Sequence, residues 1–352
     1  MTAAQPLPRN PEGAARASAS LQSVPAAGAL ARAGRPRRRP DRVRFPRRSL
    51  QAALGVIWLL DGALQFQPYM LGKGFGQQVI SPAGDGQPGF VAAAVHWAAG
   101  LIAANPLAWD IPFALIQLLL GLGMLCPRTA KAALAASLPW VLGVWYFGEG
   151  LGGITSGNAS LLTGAPGAVL LYGVLALAAW PQDGRPDAPP ARWLALAWVA
   201  LWTLGAILQV LPVNASGAAA GSALSSGASA APGWLASLDN SAAAWFTRHG
   251  GAVAALAAVE ALIALTALFP KTTRISAATG LLLAAAIWLV PQNLGQIPTG
   301  QATDPNSAPL IALMAIALIA SGGWSIRRPP HPGISRGHDG LWKLEGDGVE
   351  QH

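Results

Sequence analysis

The chain has 352 residues, of which 53% are hydrophobic and only 11% charged, with 41 Gly and 14 Trp. Soluble domains carry about a quarter charged residues, so this composition excludes an ordinary soluble enzyme and points to a membrane. The net charge of +8 is local: residues 1–50 hold eleven Arg against Glu12 and Asp41, which leaves −1 for everything after them.

Residues 1–48 are rich in Ala, Pro, Arg and Ser without apolar periodicity and read as a disordered basic cytoplasmic tail. Its Arg37–Arg48 run stands directly before an apolar span, so it reads as an anchor for anionic lipid and not as a nucleic-acid site. Arg47-Arg48 is also similar to a twin-arginine signal, but Asp61 interrupts the apolar run and no small-residue cleavage site follows. A bilayer crossing needs about 20 apolar residues. Eight stretches qualify: 49–71, 106–126, 132–150, 166–181, 193–212, 251–269, 275–291 and 308–325.

The expected fold is therefore an all-α integral membrane protein with eight transmembrane helices. They form two parallel four-helix repeats, residues 49–181 and 193–325, joined by a cytoplasmic linker at 182–192 and followed by a cytoplasmic tail at 326–352. Lys and Arg concentrate in cytoplasmic loops. With the N-terminus inside, Arg128, Lys131, Arg185, Arg192, Lys271, Arg274, Arg327 and Arg328 all fall inside, and the outer loops keep only Lys73 and Arg248. This places the protein in the plasma (inner) membrane with both termini cytoplasmic. Two further apolar stretches, 89–104 and 233–246, would invert that bias if they crossed, so they are expected to lie as short helices at the outer surface. Val213–Ala231, nearly all Ala, Ser and Gly, reads as a flexible outer loop.

The repeat is visible in the residues themselves. An offset of 143 carries Trp145 to Trp288, Gly152 to Gly295, Ile154 to Ile297, Gly157 to Gly300, Ala159 to Ala302 and Pro166 to Pro309. The same offset carries Pro127-Arg128-Thr129 to Pro270-Lys271-Thr272.

Polar side chains within such spans are costly and face the bundle interior or a wet cavity. Asp61 and Gln65 lie four apart in the first span, hence on one helical face, and Gln209 repeats the Gln65 position in the fifth. Gln117 pairs with Glu260, and Glu149 pairs with Gln292, which has Asn293 beside it. These eight residues either hydrogen-bond across helices to hold the bundle or line a polar pocket opening outward. Asp61 and Glu149 fall opposite Leu and Gln in the second copy, so a single complete site, or one shared between the copies, is expected. The echoed loops, with Gly157, Thr299, Gly300, Asp304 and Asn306, either form packed outer turns or dip back into the bundle. Asp304-Pro305-Asn306 favours a turn, and Asp304 and Asn306 are candidates for carrying a cation or a hydrogen bond to substrate. Trp58, Trp140, Trp198 and Trp202 are expected in helix packing, and Trp109, Trp180, Trp193 and Trp324 at the membrane interface. Cys126 is the only cysteine and His96 lacks partners at ligand spacing, so no metal site is expected.

Arg48, Gly55 and Gly62 in the first span, Arg192 and Gly205 in the fifth, and Val259-Glu260-Ala261-Leu262 running to Pro270-Lys271-Thr272-Thr273-Arg274 together resemble the DoxX-like family of four-helix membrane proteins. That family includes the DoxD-type subunit of thiosulfate:quinone oxidoreductase. The chain departs from it with Gln65 and Gln209 where a lysine is frequent, and with Gln117 where an acid is expected. The resemblance implies the membrane subunit of a quinone-linked or thiol-related redox system, with quinone as the ligand and a redox partner protein. The alternatives are a small-solute transporter or channel, and a non-catalytic membrane scaffold.

Overall fold

The computed structural model describes residues 45–182, 188–229, 231–321, 334–336 and 342–344. The expected basic tail except its last four residues, the middle of the 182–192 linker, most of the 326–352 tail, and Arg185, Arg327 and Arg328 lie outside the described residues.

The described chain is all-α apart from one short hairpin, in which Ile334–Arg336 (β1) pairs antiparallel with Trp342–Leu344 (β2). The helices are α1 Arg47–Leu64, α2 Gly89–Ala104, α3 Pro106–Leu125, α4 Ala130–Phe147, α5 Ala168–Ala178, α6 Leu194–Val210, α7 Gly217–Ala228, α8 Gly233–Arg248, α9 Ala252–Ala267, α10 Thr273–Leu289 and α11 Ser307–Ser321. Three helical stretches among the described residues are long and apolar enough to cross a bilayer: Pro106–Leu125, Ala130–Phe147 and Thr273–Thr299. A fourth joins them if α8 and α9, bent by 102° at their junction, count as one.

Two expectations are corrected. The first span stops at Leu64 instead of 71, because Gln65 to Gly72 run as successive turns around Pro68, which has no N–H to continue the ladder. A π-helical turn, Phe75–Ile80, and a 3₁₀ turn, Ser81–Gly84, then lead into α2. The expected flexible loop at Val213–Ala231 instead contains α7. Its alanines are strong helix formers, and the Ser216 hydroxyl caps it by accepting from the Ala219 N–H at 3.0 Å.

One core joins the N- and C-terminal halves. The last helix of each, α5 and α11, is buried nearly all round, as a central helix must be. Around them α1 packs on α3 and α6 on α9, while α4 packs on α5 and α10 on α11. The α1–α3 crossing is close because glycines meet there: a methyl group on Gly55 would lie 2.9 Å from the Gly121 carbonyl. At the opposite end of α1 two arginines satisfy carbonyls that terminating helices leave orphaned. Arg48 donates to Met124 O at 2.6 Å and to Leu125 O at the end of α3, and Arg47 donates to Trp180 O and, at 2.8 Å, to Pro189 O. Gln51 adds a 2.9 Å bond to Ala179 O. The arginine that opens the first span is thus a clamp on neighbouring helix ends.

Five helices of the first half have counterparts in the same order in the second, with α7 standing where the first half has the π and 3₁₀ turns before α2, and with paired 3₁₀ turns at Gly150–Ser156 and Asn293–Thr299. Both contain four consecutive residues of positive φ, Gly150 to Gly153 and Asn293 to Gln296. The expected pairing of Pro166 with Pro309 does not hold. The Trp145 indole donates to Pro166 O and the Trp288 indole to Pro305 O, each at 2.7 Å. Gly152 and Gly295 lie against those same prolines, with no room for a side chain. Pro166 therefore corresponds to Pro305. The first-half loop has six residues, Ser160 to Ala165, between the matched alanine (Ala159) and proline; the second-half loop has two, Thr303 and Asp304.

Candidate functional site

The two loops reach across to opposite halves. Gln67, just past α1, donates to Ala302 O at 3.1 Å, and Asn214, just past α6, donates to Ala159 O at 2.6 Å. Ala159 and Ala302 are matched positions, so the contact is reciprocal, as in an interface between like surfaces. The loops deliver different side chains. The six-residue loop buries Leu161 and Leu162 in the second half, Leu162 among Ala220, Val253 and Ile287. The two-residue loop presents Thr303, Asp304 and Asn306 to the first half.

There the first half encloses a cavity of about 830 Å³. Asp61 and Gln65 of α1, Gln117 of α3 and Glu149 after α4 all line it, together with Asp304 and Asn306. Its walls are aromatic: Trp58, Phe75, Trp97, Trp109, Phe113, Trp140, Phe147 and Tyr172. The Phe113 and Trp140 rings meet edge to face at 5.4 Å, and Trp58 and Tyr172 lie 4.6 Å apart. The lining residues Pro82, Asp85, Trp97, Trp109 and Phe147 are exposed and mark the mouth.

The polar groups in the cavity are incompletely paired. Glu149 Oε1 accepts from the Val169 N–H at 3.1 Å, which caps α5, while Oε2 has no partner. Asp304 accepts from the Thr303 hydroxyl and the Asn306 N–H, each at 2.7 Å, and is fixed in a tight turn. Asp61 is 2% exposed, and the Tyr172 hydroxyl stands beside its carboxyl. Asp61 Oδ1, Tyr172 Oη, Trp58 Nε1, Gln65 Oε1 and Gln117 Oε1 make no hydrogen bond of good geometry, although the Tyr172 hydroxyl and the Asp61 carboxyl stand close enough to pair with each other. Buried polar atoms normally have partners, so donors and acceptors left free around one cavity are what a polar ligand would satisfy. Among the described residues no three acids, histidines or cysteines stand close enough to hold a metal ion.

The other sequence candidates fall elsewhere. Gln209 and Glu260 form a separate buried cluster in the second half: Gln209 lies beside Glu260 and accepts from the Ser160 hydroxyl at 3.4 Å, and both Glu260 oxygens lack partners. Gln292 repeats the Glu149 position but is satisfied, exchanging hydrogen bonds of 3.0 and 3.1 Å with Ser307 at the start of α11. Asn293 donates to Gly227 O at 3.1 Å and ties down the end of α7. Gly157 and Gly300 end the 3₁₀ turns at φ +80° and +74°, and Thr299 bonds within its own turn, so these three shape the loop without reaching the cavity.

Three sequence readings change. Trp58, Trp140 and Trp109, assigned to packing or the interface, line the cavity. Tyr172 was missed although it is the one polar aromatic in its span. The counterpart of Asp61 is Gly205 and not a leucine, on the register that pairs Trp58 with Trp202 and Gln65 with Gln209. No family model matches the chain, and no curated protein or solved structure gives a significant match.

Proposed function

We propose that the chain is an eight-span plasma-membrane protein of two parallel four-helix repeats, 49–181 and 193–325, with a DoxX-like relationship and one outward-facing ligand site in the first repeat. The recurring element order supports the repeat. The 102° turn between α8 and α9 supports reading α8, and by analogy α2, as helices at the outer surface. Most helices fall short of the 20 residues that span a bilayer unaided, but the turns flanking them extend each crossing.

The function the geometry supports best is that of a membrane subunit in a quinone-linked or thiol-related redox system. A single observation carries it: Asp61 of α1, Gln65 just past it, Gln117 of α3 and Glu149 after α4 meet Tyr172 and Trp58 in one aromatic-walled cavity. A quinone ring is flat, apolar on its faces and polar at two opposed oxygens. The tryptophan and phenylalanine walls suit the faces. The Trp58 indole and Tyr172 hydroxyl are free donors for an oxygen, and Asp61 beside Tyr172 is placed to hold a proton for it. Quinone reduction takes up two electrons and two protons; this chain handles binding and protons, and the electrons come from a partner protein. Cys126, the one cysteine, is exposed at the end of α3 remote from the cavity, so thiol chemistry also belongs to the partner.

The test is titration of purified protein with a short-chain ubiquinone analogue, read by quenching of tryptophan fluorescence. Saturable quenching is expected, with affinity lowered about tenfold or more in Asp61→Asn and Tyr172→Phe through loss of one buried hydrogen bond each. Protein that retains no quinone and shows no saturable quenching would sink the redox reading. A second reading, transport of a small cationic solute, is favoured by the four acids in the lining. Proteoliposome uptake of such a solute, abolished by Asp61→Asn, would decide for it.

A further inference from the structure

Charge around the cavity is one-sided. Asp61, Asp85, Glu149 and Asp304 line it, and no Lys, Arg or His does so among the described residues. Arg47 and Arg48 are committed at the far end of α1, about 20 Å away at 1.5 Å per helical residue. Lys73 is exposed and outside the lining. An anion entering this space would lose its water and meet acids, the negative faces of tryptophan rings and a few neutral donors such as the Trp58 indole and the Tyr172 hydroxyl, but no cation. Neutral donors offset part of the desolvation cost, while its charge finds no counter-charge. A neutral ring pays no such cost, and a cationic one gains from both acids and ring faces.

Asp304 differs from the other acids in origin and in fixation. It comes from the second half, on the two-residue loop, and two hydrogen bonds of 2.7 Å hold its carboxyl while one face remains toward the cavity. Asp61 and Glu149 stand near enough for Asp304 to act on both electrostatically. The acids do not stand alone as evidence of a ligand: Asp61 and the Trp58 indole are each 2% exposed, unpartnered and lining the same space.

We propose that the cavity admits neutral and cationic aromatic ligands, rejects anionic ones, and that Asp304, supplied by the second half, is the residue that sets this charge selection. This deepens the small-molecule reading of the site but does not require the ligand to be redox-active. Selectivity of this kind arises from what the site refuses as much as from what it binds.

The experiment uses full-length protein in detergent and three ring probes of similar size, read by saturable tryptophan quenching. The probes are 2-methyl-1,4-naphthoquinone (neutral), 1,2-naphthoquinone-4-sulfonate (anionic) and N-methylquinolinium (cationic). The sulfonate is expected to bind at least about tenfold more weakly than the neutral quinone, Asp304→Asn to narrow that gap, and Asp304→Lys to close or reverse it. Asp85→Asn at the exposed mouth should change the ratio less. Equal binding of the sulfonate, or an unchanged ratio in a folded Asp304→Asn variant, overturns the inference while leaving the quinone reading intact. Binding of quinolinium alone overturns the quinone reading and upholds the charge selection. Quenching by none of the three overturns both.

Discussion

The first half keeps an open cavity where the second half has filled the matching space, and the difference traces to four residues of loop. Val144 lines the cavity, while its counterpart Ile287 packs on Leu162. Gln117 lines the cavity, while its counterpart Glu260 is wholly buried. Most telling is Asp61, whose counterpart Gly205 has no side chain: even a methyl group there would collide with Leu161 Cδ1. Leu161 arrives from the longer loop of the first half and occupies the place where the first half holds a carboxylate. In return the shorter loop of the second half brings Asp304 into the cavity. Two similar helical frames thus yield one site and one packed counterpart, and the site draws on both.

The strongest way to break this comparison is to remove the plug. Leu161→Ala and Leu162→Ala are each expected to destabilise by about 2–5 kcal/mol, the usual cost of truncating a buried leucine. Thermal unfolding in detergent measures the loss. Asp304→Ala in the opposite loop removes no packed apolar group and should cost clearly less. A second readout separates plugging from stability: with Cys126→Ser as background, a cysteine at Gln209 should react faster with a small thiol reagent once Leu161 is shortened. Equal reactivity with and without the leucine would show that it does not close off the second half.

Much of this was legible in the chain, for a physical reason. Hydrophilic residues are rare in apolar spans, so Asp61, Gln65, Gln117 and Glu149 stood out, and all four line the cavity. Their counterparts stood out equally, yet Gln292 is paired with the Ser307 hydroxyl and Asn293 anchors α7, because composition does not tell a satisfied polar group from a free one. Trp58 and Tyr172 were hidden among aromatics that serve packing elsewhere, as Trp198 and Trp202 do. Asp304 was a loop candidate from its Asp-Pro-Asn turn, but its place in the first-half cavity was not legible, since that depends on a contact with residues more than 130 positions away and on a length difference that a constant offset of 143 conceals. The α7 helix was missed because Ala, Ser and Gly together read as a linker, although alanine alone favours a helix.

The reciprocal anchors sharpen the comparison at a smaller scale. Gln67→Ala and Asn214→Ala each remove a side-chain bond to a matched loop carbonyl, so each should cost on the order of 1 kcal/mol in stability. Their effects on the site should differ. Gln67 holds the loop that carries Asp304, so its loss should weaken ligand binding and blunt the discrimination against the sulfonate probe. Asn214 holds the plugging loop, and its loss should leave both unchanged. If the two variants behave alike in the binding titration, the site does not depend on the second half's loop.

The smallest effect concerns α2 and α8, which carry different titratable groups, among them His96 on α2 and Asp239 on α8. His96 Nδ1 meets the Ser81 hydroxyl at 3.2 Å, whereas Asp239 is buried with both oxygens unpartnered by strict geometry and Asn293 nearby. Burial pushes the Asp239 carboxyl above its ordinary value, and the neighbouring Asn293 amide only partly offsets this. The folded protein therefore holds this proton more tightly than the unfolded chain. Its contribution is fully present below the ordinary aspartate range, near pH 4, and is lost as pH rises from there through the folded-state value. Asp239→Asn cannot ionise, so it should be more stable than the parent at neutral pH, with the advantage fading as the pH approaches 4. Melting temperatures of parent and variant across that range test the point. A variant less stable than the parent at neutral pH would mean that the ionised carboxylate is held by a favourable contact in the fold, and that α8 is anchored by charge where α2 is held by the contact between His96 and the Ser81 hydroxyl.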